Sequence, residues 1–168
     1  MSNNKSIALI GMSGCGKTYI GEALAQKLKQ EFIDIDQCIE ASENKSITEI
    51  FKQGENFFRD IETQAVLKFS EKSNAIISTG GGVVKREENM QALKRNSLIF
   101  FINRSVEDII GDIDATNRPM IKSKASVEEI YKERLPLYRK YSDFEIINNA
   151  SLEEVVDEII KVINEQAL

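Results

Sequence analysis

The stretch ALIGMSGCGKTYIGEALAQKL, residues 8–28, decides the fold of this 168-residue chain. An apolar run over Ile7–Ile10 stops at Gly11, and three glycines fall within the six residues that end at Gly16. A lysine and a threonine follow, and apolar residues then recur with helical spacing up to Leu28. The pattern predicts a buried strand, a glycine-rich turn and a helix in direct succession.

The turn from Gly11 to Thr18 fits the pattern G-x-x-x-x-G-K-[ST]. Glycines let successive backbone N–H groups approach a phosphate without a Cβ in the way. The helix that starts near Gly16 directs its positive end at the same anion. Lys17 is expected to reach the β- and γ-phosphates, and Thr18 to offer a hydroxyl to Mg²⁺. The turn is therefore interpreted as a nucleotide-binding loop, in which Cys15 is a small filler residue.

Composition places the chain among globular proteins, with 42% hydrophobic and 29% charged residues. Its length predicts a single domain over residues 1–168. A net charge of −5 argues against nucleic acid as a main partner. No apolar run approaches a membrane span, and the N-terminus lacks the features of a signal peptide. We expect a cytoplasmic monomer with no membrane partner.

The chain contains no histidine, and its two cysteines, Cys15 and Cys38, have no metal-ligand spacing. Histidine general-base catalysis and histidine metal ligands are thus excluded. Any catalysis must use carboxylates, lysine, arginine, hydroxyl groups or the backbone.

Strand-like and helix-like segments alternate along the chain. Short β-branched or aromatic runs occupy 7–10, 32–34, 75–78, 98–102 and 144–147, and helical spacing occupies 20–28, 57–69, 90–93 and 152–163. Ser151 and Glu154 form a predicted capping box for the last helix. This alternation predicts an α/β fold, a parallel sheet with helices on both faces. The polar segment 111–126 is predicted to be an irregular, mobile lid with a hinge at Gly111.

The nucleotide-binding loop does not by itself define the reaction. The Asn-Lys-x-Asp segment expected of a regulatory GTPase is absent, and the strand over 75–78 runs into Thr79 and three glycines rather than the acidic residue of a motor or transporter ATPase. Asp34 and Asp36 follow another strand, where open α/β sheets bind ligands. Strand alternation puts both carboxylates on one side, where Mg²⁺ and substrate hydroxyls can occupy them. A small phosphotransferase fits best.

Six segments, in this order and with this spacing, resemble the shikimate kinases: GMSGCGKTYIGEALAQKL, FIDIDQCIE, IFKQGENFFRDIE, STGGGVV, NRPMI and ERLPLYRKY. They cover nearly the whole chain. The resemblance implies a P-loop fold with a five-stranded parallel sheet in the order 2-3-1-4-5, flanked by helices. It also implies ATP-dependent phosphorylation of the shikimate 3-hydroxyl, in aromatic amino-acid biosynthesis, with ATP as co-substrate and Mg²⁺ as cofactor.

The resemblance also implies roles for individual residues. Asp36 would hold the substrate hydroxyls, and Asp34 would lie near Mg²⁺ through water. Arg59 and Arg134 would grip the shikimate carboxylate, and the substrate-binding region would span roughly 34–62. The implied substrate-binding residues are Asp36, Arg59, Gly80, Gly81, Gly82 and Arg134. The implied ATP-binding residues are Gly14, Cys15, Gly16, Lys17, Thr18, Tyr19 and Arg118. The implied catalytic residues are Lys17, Asp36 and Arg118, and the implied metal-binding residues are Thr18 and Asp34.

One departure from the family concerns the adenine site. Many relatives carry an arginine shortly before the lid, and this chain has Gly111 and Asp112 there. Arg104 is not an obvious substitute, and Arg139 is a weak candidate. Two other functions stay open: a sugar-acid kinase of the gluconate type, and a nucleotide-binding module without catalysis.

Overall fold

Five parallel strands form one sheet in the computed structural model, which describes residues 4–113 and 123–166. The strands are β1 Ser6–Ile10, β2 Glu31–Asp34, β3 Ala75–Ser78, β4 Ser97–Asn103 and β5 Phe144–Ile147. Their order is β2-β3-β1-β4-β5, with every pair parallel. The predicted sheet and its strand order are confirmed.

Strand β1 occupies the centre of the sheet, where Ile7 pairs with Ile76 of β3 on one side and Leu98 of β4 on the other. Every residue of β1 and β3 is buried. A strand buried along its whole length needs cover on both faces of the sheet, as expected for parallel sheets. The core therefore lies on both sides of these strands.

Helices connect the strands and supply this cover. They are α1 Lys17–Leu28, α2 Ile35–Glu43, α3 Ile47–Phe51, α4 Glu55–Phe69, α5 Glu87–Asn96, α6 Val106–Ile113, α7 Lys124–Tyr141 and α8 Leu152–Gln166, with a 3₁₀ turn at Val83–Lys85. Helix α1 packs against α8 and β3, α4 packs against α2, α3 and α5, and α7 packs against α6 and β4. None of the helices in the described part of the chain is long and apolar enough to cross a bilayer.

The start of α8 shows how local sequence defines an element. The Ser151 N–H donates to Glu154 Oε2 at 2.9 Å, and the Glu154 N–H donates to Ser151 Oγ at 3.3 Å. These reciprocal bonds satisfy backbone donors that a helix N-terminus otherwise leaves unpaired. The predicted capping box is present.

The segment predicted to be irregular, 111–126, is helical at both ends. Helix α6 continues through Gly111 to Ile113, and α7 begins at Lys124. Residues 114–122, including Arg118, lie outside the described residues, so the prediction of a mobile lid is not tested there. Helix α7 also runs through Pro136, a residue that usually ends or kinks a helix.

Strands that run in parallel bring their carboxyl ends to one edge of the sheet. The nucleotide-binding loop follows β1, Asp34 ends β2, Thr79 follows β3 and Arg104 follows β4. Open α/β sheets bind ligands at this edge. The fold therefore places polar segments that are far apart in sequence side by side at the carboxyl edge of the sheet.

Two helical glycines offer a test of the packing. A Cβ on Gly21 would lie 2.5 Å from Phe32 Cε2, whereas a Cβ on Gly111 would meet nothing within 4 Å in the described part of the chain. Alanine in place of a helical glycine gains up to about 1 kcal/mol. We expect Gly111→Ala to raise the free energy of unfolding by about that amount, and Gly21→Ala to lower it by about 1–3 kcal/mol through overpacking. Urea denaturation measures both, and equal gains would contradict a tight contact between α1 and β2.

Candidate active site

A cavity of about 540 Å³ opens at the carboxyl edge of the sheet. Its wall contains residues from the nucleotide-binding loop, the end of β2, helices α2, α4 and α7, and the loop after β3. Twelve of the residues predicted from sequence line it: Gly14, Gly16, Lys17, Thr18, Tyr19, Asp34, Asp36, Arg59, Gly80, Gly81, Gly82 and Arg134. One cavity thus joins the predicted nucleotide and substrate residues.

The side chain of Lys17 is hydrogen-bonded to the backbone of the nucleotide-binding loop. Lys17 begins α1, and Gly16 precedes it with φ +98°, a left-handed conformation that favours glycine. Lys17 Nζ donates to the carbonyl of Gly11 at 2.7 Å and to that of Met12 at 2.9 Å. The ammonium is therefore buried at the loop end of the cavity, where it could neutralise a bound anion.

Asp34 joins this loop to the second strand. Its Oδ2 accepts from Thr18 Oγ1 at 2.9 Å, and its Oδ1 accepts from the Gln37 N–H at 3.0 Å and caps α2. The hydroxyl and the carboxylate predicted to surround a metal ion are thus in direct contact. In this structure Asp34 therefore caps α2 and also accepts from the Thr18 hydroxyl.

Asp36 reaches the cavity for a different reason from the predicted one. Helix α2 begins at Ile35, so strand alternation does not apply, and Asp36 lies in the first helical turn. Its Oδ1 is buried with no hydrogen-bond partner in the described part of the chain. Burial, reinforced by the charges of Glu62 and Asp34 and opposed by Lys17 and Arg59, raises the pKa of Asp36 to about 7.

Arg59 is held from several sides. Its Nη1 donates to Glu62 Oε1 at 2.8 Å, and Nε and Nη2 lie 3.4 Å from Glu55 Oε1. The guanidinium also lies 5.8 Å and 5.2 Å from the ring centroids of Phe51 and Phe58. These contacts fix a buried cation that the sequence alone allowed to be a surface charge.

Glu62 is a site residue to which the sequence analysis assigned no role. It is fully buried, and burial raises its pKa although Arg59 opposes the shift. Its Oε2 has no hydrogen-bond partner in the described ranges. The spacing of Glu62 three residues after Arg59 on one helix was the available signal, because residues i and i+3 are neighbours on a helix surface.

The three consecutive glycines are explained by the protein's own side chains. A Cβ on Gly80 would lie 2.9 Å from Glu62 Oε2 and 3.0 Å from Asp36 Oδ1. A Cβ on Gly82 would overlap the guanidinium of Arg59. Side chains of the protein itself therefore occupy the space beside these glycines.

Arg134 approaches the same backbone from α7. Its Nη1 would lie 3.5 Å from a Cβ on Gly81, and the Tyr138 hydroxyl donates to the Gly81 carbonyl at 2.6 Å. Arg134 is only 6% exposed, and its Nε has no hydrogen-bond partner in residues 4–113 and 123–166. Arg59 and Arg134 therefore flank successive glycines, so a ligand carboxylate in this part of the cavity would lie close to two cations.

Some candidates from the sequence do not reach the cavity. Cys15, within the loop, has a fully buried side chain, with Sγ 3.6 Å from Lys17 Nζ. Arg139 pairs with Glu145 at 3.1 Å and does not line the cavity. Arg118 lies outside the described residues.

The arrangement has two chemically different ends. The loop end offers backbone N–H groups, an ammonium and oxygen ligands, which suit phosphates and a hard cation. The other end offers two guanidinium groups, which suit a carboxylate. Asp36 carries an acceptor oxygen without a partner in the described chain. Such a cavity can position an acidic alcohol against a nucleotide phosphate.

Comparison with known proteins agrees with this geometry. A family model described as shikimate kinase matches residues 13–164. The shikimate kinase of Clostridium botulinum (strain Eklund 17B / Type B) is 48% identical over 158 residues, covering 94% of this chain and 96% of that protein. The shikimate kinase of Clostridium beijerinckii is 44% identical, covering 94% of each. The structure of the shikimate kinase from Acinetobacter baumannii in complex with shikimate superposes with a TM-score of 0.93 at 29% identity, covering 98% of this chain and 95% of that one.

The raised pKa of Asp36 predicts a pH dependence of stability. Its pKa of about 7 lies above its ordinary value of 3.8, so the stability contributed by the protonated carboxyl is lost as pH rises toward 7. Asp36→Asn cannot ionise and escapes this loss. We expect the free energy of unfolding of Asp36→Asn, relative to the parent, to be higher at pH 8 than at pH 5. Urea unfolding at both pH values measures it, and a constant difference would exclude the raised pKa.

Proposed function

The chain belongs to the shikimate kinase family, whose reaction transfers the γ-phosphoryl group of ATP to shikimate, and we propose that the 540 Å³ cavity performs this transfer at the shikimate 3-hydroxyl. ATP binds at the loop from Gly11 to Thr18, and shikimate binds beside Gly80–Gly82. The observation that carries the proposal is the position of Asp36, which lies near both Lys17 and Arg59 and has a buried oxygen without a partner in the described chain.

The phosphate end supplies charge neutralisation. Phosphoryl transfer needs positioning and electrostatic stabilisation more than covalent catalysis by the protein. The ammonium of Lys17 donates to the β- and γ-phosphates when they replace the loop carbonyls that it now contacts. The amino end of α1 faces the same phosphates.

Mg²⁺ fits the oxygen ligands at this end. Thr18 and Asp34 present a hydroxyl and a carboxylate in contact, and hard cations prefer such ligands. The described residues contain no cluster of three or more acidic, cysteine or histidine ligands, so a metal ion here would depend on water and nucleotide phosphates as well. Thr18 and Asp34, the latter through water as the family resemblance implies, would hold the ion, which would supply positive charge to the phosphates.

The acceptor end orients shikimate. Asp36 accepts from the attacking hydroxyl and, when ionised, can take its proton. Arg59 and Arg134 bind the carboxylate of shikimate, because buried guanidinium groups gain most from an anionic partner. The catalytic role of Arg118 and the mobility of the lid are retained as proposals from the sequence, as are a monomeric state and a cytoplasmic location.

The other two functions are less well supported. A nucleotide-binding module without catalysis needs no pair of buried arginines opposite the phosphate site. A gluconate-type kinase needs a carboxylate site too, and substrate choice separates it from this proposal. A coupled assay for ADP release with shikimate, quinate and gluconate in parallel tests all three functions, and preference for gluconate or no turnover would overturn the proposal.

Lys17→Met tests the phosphate end. We expect it to abolish turnover without unfolding the protein, because the lysine acts on phosphate charge. Lys27→Met is a matched control on the same helix, since Lys27 pairs with Asp157 at the surface. Steady-state rates and thermal melting of both variants provide the measurement. Near-normal kcat in Lys17→Met would disprove the assignment.

Arg59→Ala and Arg134→Ala test the acceptor end. Removing one arm of a desolvated charge pair costs about 2–5 kcal/mol, so we expect KM for shikimate to rise about 30-fold or more, and KM for ATP to change little. Arg86→Ala is the control, because Arg86 pairs with Asp60 outside the cavity.

A shikimate analogue with a neutral amide in place of the carboxylate sharpens this experiment. The parent should bind the amide poorly, and the two arginine variants should discriminate much less between acid and amide. Variants that prefer the acid as strongly as the parent does would show that these arginines do not bind the carboxylate.

A further inference from the structure

Arg104 lines the cavity at the end formed by the nucleotide-binding loop. It is the first residue after β4, the neighbour of central β1, so it lies at the carboxyl edge of the sheet beside the nucleotide-binding loop. Its Nη1 donates to the Gly14 carbonyl at 3.0 Å and to Asp112 Oδ2 at 2.5 Å. The side chain is thus attached both to the loop and to helix α6.

The guanidinium of Arg104 has N–H donors that make no hydrogen bond within the described part of the chain. Both of these bonds use Nη1, and Nε and Nη2 make no hydrogen bond to residues 4–113 or 123–166. The side chain is 23% exposed, so it is neither fully buried nor free in solvent. An arginine presents five N–H donors in a rigid fork that matches phosphate oxygens. Arg104 can therefore accept an anionic partner without giving up its bond to Gly14.

The positions of the cationic side chains around the cavity indicate a role for Arg104. Four cationic side chains from the described part of the chain line the cavity: Lys17, Arg59, Arg104 and Arg134. Arg59 and Arg134 flank the glycines at the acceptor end, which leaves Lys17 and Arg104 at the loop. The phosphates of a nucleotide carry several negative charges, and the single ammonium of Lys17 cannot balance all of them.

We propose that Arg104 is a nucleotide-binding residue that contacts the α- and β-phosphates, and that its guanidinium leaves Asp112 when nucleotide binds. The inference rests on the ATP site proposed above and adds a contact to it. Asp112 competes for the guanidinium while the cavity is free of nucleotide. The carbonyl of Gly14 keeps the guanidinium in register with the loop.

The experiment compares phosphate-bearing and phosphate-free ligands. Dissociation constants for ADP, tripolyphosphate and adenosine are measured by calorimetry with the parent, Arg104→Met, Arg104→Lys and Arg139→Met. The last is the matched control, because Arg139 pairs with Glu145 outside the cavity. Loss of a charge-assisted bond should weaken ADP and tripolyphosphate by about 10- to 100-fold in Arg104→Met. Adenosine should bind as to the parent, and Arg104→Lys should recover part of the loss.

A second variant keeps the test decisive if Arg104→Met does not fold. Asp112→Asn retains Arg104 and removes its competing carboxylate, so it should bind ADP more tightly than the parent. Unchanged ADP binding in either Arg104→Met or Asp112→Asn overturns the inference. So does an equal loss for adenosine and ADP in Arg104→Met. A parent protein that binds neither ATP nor ADP overturns the proposed function itself.

Discussion

The buried ion pair between Arg59 and Glu62 is the interaction on which the acceptor half of the cavity depends. The two groups meet at 2.8 Å, with the arginine side chain 6% exposed and the glutamate side chain fully buried. Removing one partner of such a pair would leave an uncompensated buried charge, which costs about 3–5 kcal/mol. The pair therefore holds the guanidinium in one place, against Gly82 and over two phenylalanine rings.

This pair also sets the electrostatics of its surroundings. Asp36 and Glu62 both lie beside Gly80, and each has a buried oxygen without a partner in the described residues. Two carboxyl groups so close disfavour each other's ionisation, and the positive charge of Arg59 partly offsets this effect on the pKa of Asp36. The raised pKa of Asp36, a property useful in a residue that accepts a proton, follows from this crowding as well as from burial. Glycine is needed at 80 and 82 because a Cβ there would crowd Asp36 and Glu62 at Gly80 and overlap Arg59 at Gly82.

Much of the fold could be predicted because its signals are local. The strands were placed within two residues at each end, and the capping box at Ser151 was identified from four residues. The nucleotide-binding loop was read from its spacing, since phosphate binding needs glycines, a helix start and a cation in sequence. Helix α7 was the main omission. Pro136 argues against a helix locally, but Arg134 and Tyr138 are buried on either side of it and anchor the segment.

The sequence by itself determined the nucleotide-binding loop, the strand order through its family resemblance, and five of the charged residues at the cavity: Lys17, Asp34, Asp36, Arg59 and Arg134. Only the tertiary structure decided what those charges do to one another. Asp36 enters the cavity from a helical turn and not a strand, Glu62 joins the site through its pairing with Arg59, and Arg104 is drawn to Gly14 across 90 positions of sequence. The physical reason is that burial, pKa and ion pairing depend on distances across the carboxyl edge of the sheet, and these distances exist only once parallel strands bring that edge together.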